Sequence, residues 1–374
     1  MGLRPDASVQ KVLISTTCRF YGDFETGDLL VSQAWSATWP PTASARTVDG
    51  DASRNSFVCA FRSTDVPHSG VGARDSGLYG ELVCICLAVL FGKRFDNHGP
   101  LENGGAYLMP DLRAYGQQSS GLLPQNTDAP RVDFRIPLNL TEIYRLEALL
   151  TGIGALHETK AARTFGGAGK FYLRALQSVE RDPEVAYLNL ITAGEILSNF
   201  FEYPKAEVLD DTSKKLIRRL REVPDGCKLA THVEGKLRSV KRRFVRTIVD
   251  LVDESFFVRT QSSAPFAAFS SLDFSERIAA AYDLRSRYVH TGISFGGWVA
   301  RPHVAGAEVP LGWPVLDDRK LVKILHLAPT YTGLERVIRY CLLRFAYAHG
   351  LINPGMVIST VVEPAASEPA PSGA

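Results

Sequence analysis

The stretch DPEVAYLNLITAGEILSNFFEY (182–203) carries the clearest helix signal in the chain. Asp182 has the residue type of an N-cap, and Pro183 suits the first helical position. The helix they open is apolar on almost every side, which is typical of a helix at the centre of a bundle. Glu195 is the one acid within its run LNLITAGEILSNFF, so its burial needs a compensating partner.

The sequence around this helix is helical in pattern from about residue 140 onward. Further helices are predicted over EIYRLEALLTGIGAL (142–156, capped by Thr141), FYLRALQSVE (171–180), 212–223, 233–257, Asp273 or Ser275 to Thr291, and 334–351. About six helices of this kind predict a helical bundle. FGGAGK (165–170) is predicted as a flexible, glycine-rich break. It is not a phosphate-binding loop, because the spacing differs and Phe171 stands where Ser or Thr is required.

Residues 1–140 have a different composition, which is rich in Gly, Pro, Ser, Thr and Asn. Short apolar runs between turn residues predict strands at 11–15, 28–35, 57–61, 106–109 and 131–138. A helix is predicted at 77–95, capped by Ser76 and ending near 97–99. The expected organisation is an α+β domain of unknown role at 1–140 and an all-α bundle at 141–351. A C-terminal tail follows at 352–374 and is disordered by composition from about 364.

The composition is that of an ordinary globular protein: 374 residues, 45% hydrophobic, 22% charged and a net charge of +2. No apolar run reaches the roughly 18–20 residues of a membrane span. The N-terminus lacks the pattern of a signal peptide, so a cytoplasmic location without membrane contact is expected. The six cysteines are scattered and are interpreted as buried free thiols. No metal-binding spacing is present, and neither a metal nor another cofactor is expected.

The helix that begins near Asp273 places an arginine in its apolar stripe. On a helical wheel with Phe274 at zero, the apolar residues fall within roughly 80° and Arg285 near 20°. A buried guanidinium is unfavourable unless a charge pairs with it. Glu195, the unexplained acid of the central helix, is the predicted partner.

His290 falls near 160° on the same wheel, with Asp283 and Arg287 as helical neighbours. On an ideal helix it does not share a face with Arg285. The two converge only if the last turn is distorted or if a second subunit supplies part of the site. Gly292 is a predicted C-cap, and a histidine at a helix C-terminus suits a general acid or base. The simpler interpretation is a structural ion pair and a surface histidine.

The string YDLRSRYVHTG (282–292) resembles the Arg-x(4–6)-His motif of the HEPN superfamily, most closely its Apea-like branch. DPEVAYLNLITAGEILSNFF is similar to the central helix of that branch, with its acid at Glu195. VDLVDESFF (249–257) and LERVIRYCLLRF (334–345) also fit, so the resemblance covers roughly 155–350. The chain departs from the pattern at Ser286, where many members have Asn, Asp or His. It departs again at Thr291, which separates the histidine from Gly292.

Membership of this superfamily implies an all-α HEPN-type bundle and a metal-independent endoribonuclease that acts as a homodimer on RNA. By this resemblance, His290 moves the proton of the 2′-OH or of the leaving 5′-oxygen, Arg285 holds the phosphate, and a 2′,3′-cyclic phosphate results. The candidate supporting residues are Glu195, Asp283, Ser286, Arg287 and Tyr288. Related proteins act in phage defence, abortive infection or toxin–antitoxin pairs. Others are inactive modules that bind RNA or a protein partner, and this alternative stays open.

Two basic stretches are candidates for contact with RNA phosphates. Lys214, Arg218 and Arg221 share a helical face in the first, and Lys236, Arg243 and Arg246 form an interrupted stripe in the second. The competing interpretation is a solvated helix face, since acidic residues lie nearby. Residues 1–140 form no catalytic constellation, although a small-molecule site there is a third hypothesis. Their expected role is to sense a trigger ligand or protein, or to restrain the nuclease.

Overall fold

The molecule is described from a computed structural model. It covers residues 8–16, 20–27, 29–34, 55–63, 76–103, 106–111, 138–140, 143–144, 159–204, 211–236, 240–258, 260, 262–300, 304 and 306–352. The helix predicted after Thr141, most of the predicted strand at 131–138 and the tail from 353 lie outside these residues. Within them, an antiparallel sheet with one helix is followed by a mostly helical half, as the sequence predicts.

The sheet is built from six strands in the order β3-β4-β5-β1-β6-β7. Each pair of neighbours in it is antiparallel. The strands are β1 (Ser8–Thr16), β3 (Phe24–Glu25), β4 (Leu29–Gln33), β5 (Asn55–Ser63), β6 (Phe95–Asn103) and β7 (Ala106–Tyr107). A separate parallel pair joins β2 (Phe20–Tyr21) to β8 (Leu138–Asn139). The predicted strands near 11–15, 28–35, 57–61 and 106–109 are confirmed in position.

The helix of this half, α1 (Ser76–Phe91), is shorter than predicted. Gly92 adopts a left-handed φ of 63°, which ends the helix because a glycine accepts this conformation without steric penalty. The chain then enters β6, where Phe95 pairs with Thr16 and Asn97 with Ile14. The predicted extension of the helix to residue 95 is therefore wrong, because long-range pairing with β1 takes these residues into the sheet.

α1 is buried along most of its length, and every residue from Val83 to Leu90 lies in the core. It packs against β1 and β6 and also against α2 (Lys160–Ser178). FGGAGK (165–170) lies inside α2, so the predicted break there is wrong. A Cβ atom added to Gly169 would lie 2.6 Å from Ile85, and glycine thus permits the close approach of the two helices.

The helical half continues from α2 with nine further α-helices in the described residues. They are α3 (Pro183–Ser198), α4 (Asp211–Arg221), α5 (Gly226–Lys236), α6 (Val240–Leu251), α7 (Glu254–Val258), α8 (Phe274–Thr291), α9 (Gly296–Ala300), α10 (Arg319–Leu327) and α11 (Tyr331–Ala348). The single helix predicted at 233–257 is divided between α5, α6 and α7. Residues 237–239, between α5 and α6, lie outside the described part.

One continuous apolar core joins the sheet, α1 and the helices. A buried arginine also connects them: Arg339 of α11, only 2% exposed, donates from Nε to the carbonyl oxygen of Val89 at 2.6 Å and from Nη2 to that of Leu90. The last carbonyls of a helix lack partners within the helix, and Arg339 supplies donors for two of them in α1. The domain boundary near residue 140 stays a prediction.

Candidate functional site

α3 runs through the core and carries the acid of the site near its C-terminal end. Its predicted start is confirmed, since the Asp182 side chain accepts a hydrogen bond from the Val185 N–H at 2.9 Å and Pro183 opens the helix. A Cβ atom on Gly194 would lie 2.5 Å from the Phe244 ring of α6. This close packing brings the neighbouring residue, Glu195, to the place where α3, α6 and α8 meet.

Arg285 of α8 lies beside Glu195, as predicted from the unfavourable burial of both charges. Its Nη2 is 3.6 Å from Glu195 Oε2, and the two side chains are 29% and 17% exposed. The separation exceeds the usual 2.7–3.2 Å of an N–H···O hydrogen bond, so the contact is a loose ion pair. Both side chains are half-buried, so the protein holds the ion pair in place while water can still reach it.

Tyr282 holds the other side of the same carboxylate. Its hydroxyl donates to Glu195 Oε1 at 2.9 Å, and its ring lies 5.8 Å from the Arg285 guanidinium carbon. Burial and then the hydrogen bond to the Glu195 carboxylate raise the pKa of Tyr282 to about 12. The phenol therefore stays protonated near neutral pH, and its hydrogen bond holds the Glu195 carboxylate beside Arg285.

The guanidinium of Arg285 keeps its hydrogen-bond donors available. Among the described residues its contacts are the ion pair with Glu195 and the ring of Tyr282, and it makes no hydrogen bond to the protein. An arginine has five N–H donors in a planar fork that matches phosphate and carboxylate oxygens. The protein therefore orients the Arg285 side chain, and its N–H donors remain available to bind a ligand.

His290 lies in the last turn of α8 with an exposed side chain. The predicted end of the helix is confirmed, because Gly292 adopts a left-handed φ of 68° and its N–H donates to the Tyr288 carbonyl. α8 is unbroken from Phe274 to Thr291, so Arg285 and His290 are separated by about 140° around its axis. The last turn does not bring them onto one face of the helix within a single chain.

The remaining residues of α8 named from the sequence point to different neighbours. Asp283 accepts from Lys241 of α6 at 2.6 Å. Arg287 pairs with Asp318, which also caps α10. The Tyr288 ring packs edge-on against Phe295, with centroids 5.5 Å apart. Ser286 is half-buried. Asp283 and Arg287 thus join α8 to α6 and α10, whereas Glu195 and Tyr282 are the residues that contact Arg285 within the described part of the chain.

The segment that follows His290 is anchored by Glu184 at the start of α3. The Ser294 hydroxyl and the backbone N–H groups of Phe295 (3.2 Å) and Gly296 (2.8 Å) all donate to Glu184 Oε1. Burial by itself would raise the pKa of Glu184, but these hydrogen bonds outweigh it and the pKa lies below its ordinary value. The carboxylate therefore fixes the turn that leaves the histidine-bearing end of α8.

This anchor predicts a pH-dependent contribution to stability. The folded pKa of Glu184 is below the unfolded one, so the contribution is present above the ordinary glutamate pKa of about 4.3 and is lost as pH falls through the folded pKa. We expect Glu184→Gln to lower the free energy of unfolding by about 0.5–1 kcal/mol near neutral pH, allowing for solvent screening. Urea unfolding across the acid range should show the difference from wild type vanish. The same substitution at exposed Glu202 is the control, and an effect of Glu184→Gln that persists in acid would contradict the prediction.

The basic residues predicted to contact RNA are dispersed. Lys214, Arg218 and Arg221 are exposed on α4, which packs against α5 around a small apolar cluster of its own. On α6, Arg246 pairs with Asp250 at 2.8 Å along the same helix. Arg243 instead donates from Nη2 to Asn199 Oδ1 at 2.6 Å, at the C-terminal end of α3. Lys236 ends α5, and its side chain lies outside the described part.

The described part of the chain contains no group of three or more His, Cys, Asp or Glu side chains placed to hold a metal ion. None of its helices is both long enough and apolar enough to span a membrane. Four of its free cysteines, Cys59, Cys84, Cys86 and Cys341, are buried as the sequence indicates, while Cys227 is exposed.

Comparisons with known proteins identify no relative: no protein-family model, curated protein or solved structure matches the chain.

Two participants in this geometry were not predicted from the sequence. Tyr282 is not predicted beside Glu195, although it precedes Arg285 by one helical turn and the two neighbour each other on the helix surface. Asn199 follows Glu195 by four residues, and the same spacing puts it on the face of Glu195. Tyr282 and Asn199 could both be predicted from helical spacing, because they lie three residues from Arg285 and four residues from Glu195.

Proposed function

We propose that this protein is a metal-independent endoribonuclease of the HEPN type. The observation that carries the proposal is the state of Arg285: it is half-buried and oriented by Glu195 and Tyr282, and its N–H donors are left available to a ligand. An arginine held in this way suits a phosphate whose charge grows during reaction. An exposed histidine five residues further on supplies an imidazole, the side chain used most often as a general acid or base.

The proposed reaction uses the RNA itself as nucleophile. The 2′-oxygen attacks the adjacent phosphorus, the bond from phosphorus to the 5′-oxygen breaks, and the products are a 2′,3′-cyclic phosphate and a free 5′-OH. His290 accepts the proton of the 2′-OH while water protonates the leaving 5′-oxygen, or it donates a proton to that oxygen while water accepts the proton of the 2′-OH. Arg285 binds the non-bridging oxygens and offsets the charge that develops on them.

A complete site is proposed to form between two copies of the chain. Arg285 and His290 lie about 140° apart around α8, so one copy does not present both to the same phosphate. Two exposed apolar residues, Val289 (53% exposed) and Ile293 (41%), flank His290 and would be covered by a partner. The proposed setting is phage defence, abortive infection or a toxin-like role, with residues 1–140 acting as sensor or restraint.

A second candidate is a HEPN-type module without catalytic activity that binds RNA or a protein. The angular separation of Arg285 and His290 favours it, because a pair on different faces of one helix also fits a structural ion pair and a surface histidine. In that case, Glu195, Tyr282 and Arg285 serve to join α3 to α8.

The two candidates are separated by incubating purified wild-type protein with total cellular RNA in EDTA and analysing the product ends. The nuclease proposal expects cleavage that leaves 2′,3′-cyclic phosphates, and light scattering should show a dimer. Cleavage that EDTA abolishes, or that leaves 3′-OH ends, would reject the proposed mechanism. Intact RNA that co-purifies with the protein and is never cleaved would support the binding module.

A further inference from the structure

Two arginines from different helices meet the same end of α3. Arg285 of α8 lies at Glu195, and Arg243 of α6 donates to Asn199 at 2.6 Å. Glu195 and Asn199 are four residues apart, so their Cβ atoms are neighbours about 5–6 Å apart on one face of α3. The sequence stripe of Lys236, Arg243 and Arg246 gives no hint of this meeting, because it concerns a single helix.

Contacts between α6 and α8 hold the two arginines in this arrangement. The Phe244 and Tyr282 rings pack with centroids 5.5 Å apart, and Lys241 pairs with Asp283 at 2.6 Å. Arg243 is close enough to Tyr282 for its charge to act on the phenol. The backbone segments that carry the two guanidinium groups are thus fixed relative to each other.

The charges of this cluster do not balance. Arg243 and Arg285 contribute two positive charges, Glu195 contributes one negative charge, and Asn199 is neutral. Asn199 is exposed and Arg243 half-buried, so the excess positive charge is open to solvent. Of the five N–H donors of Arg243, the hydrogen bond to Asn199 uses one on Nη2. An excess of positive charge on planar guanidinium groups suits a phosphate ester.

We infer that Arg243 is a second phosphate-binding residue, which holds the phosphate next to the one held by Arg285 on a single-stranded RNA. The identity of the ligand as RNA rests on the proposed function, whereas the pairing of the two arginines rests on their contacts with α3. Asn199 positions Arg243 as Glu195 positions Arg285. Two such sites would set the path of the strand across the end of α3, because each of the two phosphates is held by its own arginine.

The test is binding of a short 2′-O-methyl-oligouridylate, which cannot be cleaved by its own 2′-oxygen, measured by fluorescence anisotropy over a range of KCl concentrations. We expect Arg243→Ala to raise Kd about tenfold, as the loss of one charged phosphate contact does. The slope of log K against log salt should decrease in magnitude by about 0.7, the value for one contact with a single strand.

Arg181→Ala is the matched control. Arg181 is an exposed arginine just before α3, about 20 Å along the helix axis from Glu195, and its removal deletes the same charge. We expect its Kd and salt slope to equal those of the wild type. Arg243→Lys, which keeps the charge but loses the planar fork, should keep the slope and still weaken binding severalfold.

An Arg243→Ala variant that matches Arg181→Ala in both Kd and slope overturns the inference, as does a wild-type protein that does not bind the oligonucleotide. Should Arg243→Ala not fold, as judged by circular dichroism, Arg243→Lys and Asn199→Ala decide, and wild-type binding by both overturns the inference. Binding that depends on Arg243 without any RNA cleavage rejects the proposed nuclease while the phosphate site stands. RNA cleavage together with binding that does not depend on Arg243 rejects the phosphate site and leaves the proposed nuclease standing.

Discussion

Alanine at position 290 is expected to lower the rate of RNA cleavage by about 10²–10⁴-fold, the usual contribution of a general acid or base. The rate is measured under single-turnover conditions with EDTA present, and the binding of an uncleavable RNA is measured alongside. Because the His290 side chain is exposed, its removal should change the free energy of unfolding by no more than about 0.5 kcal/mol. Loss of cleavage with binding and stability intact would assign the proton transfer to this residue.

Ser275→Ala is the control for this experiment, since it truncates an exposed side chain in the first turn of the same helix, about 20 Å from His290 along the axis. It should cleave RNA like the wild type. Equal cleavage by wild type and His290→Ala would place the activity elsewhere or in a contaminant. Arg285→Ala is a less informative probe, because it also leaves the half-buried Glu195 without its cation.

Replacing Arg339 by leucine is expected to lower the free energy of unfolding by about 3–5 kcal/mol. Two buried carbonyl groups at the end of α1, those of Val89 and Leu90, lose their charged donor. The fully buried Glu335, one turn earlier on α11, loses a nearby positive charge as well. A loss of this size is a large part of the roughly 5–15 kcal/mol that stabilises a typical domain. Urea unfolding followed by circular dichroism measures it.

Arg344→Leu on the same helix is the matched substitution. Arg344 is 40% exposed and pairs with Asp253 at 3.4 Å, so its replacement should cost no more than about 1 kcal/mol. Similar losses for the two variants would show that the contacts of Arg339 with α1 do not stabilise the protein. A similar loss would also remove the reason to regard α11 as the element that holds the end of α1.

The parts of the structure that the sequence predicts well are those set by local chemistry. Asp182 and Pro183 begin α3, and Gly292 ends α8, because caps act on backbone groups within a few residues. The pairing of Arg285 with Glu195 was also predictable, although the two residues are distant in the sequence. Both residues are charged and lie in apolar stretches of helix, where few oppositely charged partners are available.

The wrong predictions concern residues whose structure is decided by distant partners. Gly166, Gly167 and Gly169 disfavour a helix locally, yet packing of α2 against α1 keeps them helical. Residues 97–99 have the composition of a turn but lie within β6, where Asn97 pairs with Ile14 and the buried His98 side chain is 2.7 Å from Ser15. The contact between Arg243 and Asn199 was missed for a related reason, since an arginine and an asparagine near solvent have many possible partners.

The position of α1 has a consequence for any attempt to study the helical half by itself. A fragment that begins at residue 141 would leave the face of α2 around Gly169 open to water, and Arg339 would lose its acceptors on Val89 and Leu90. Such a fragment would expose apolar surface that the whole chain keeps covered, and we expect it to aggregate. The apolar stretch at residues 83–90 therefore packs against both the sheet and the helical half, and a change that displaces it would destabilise both at once.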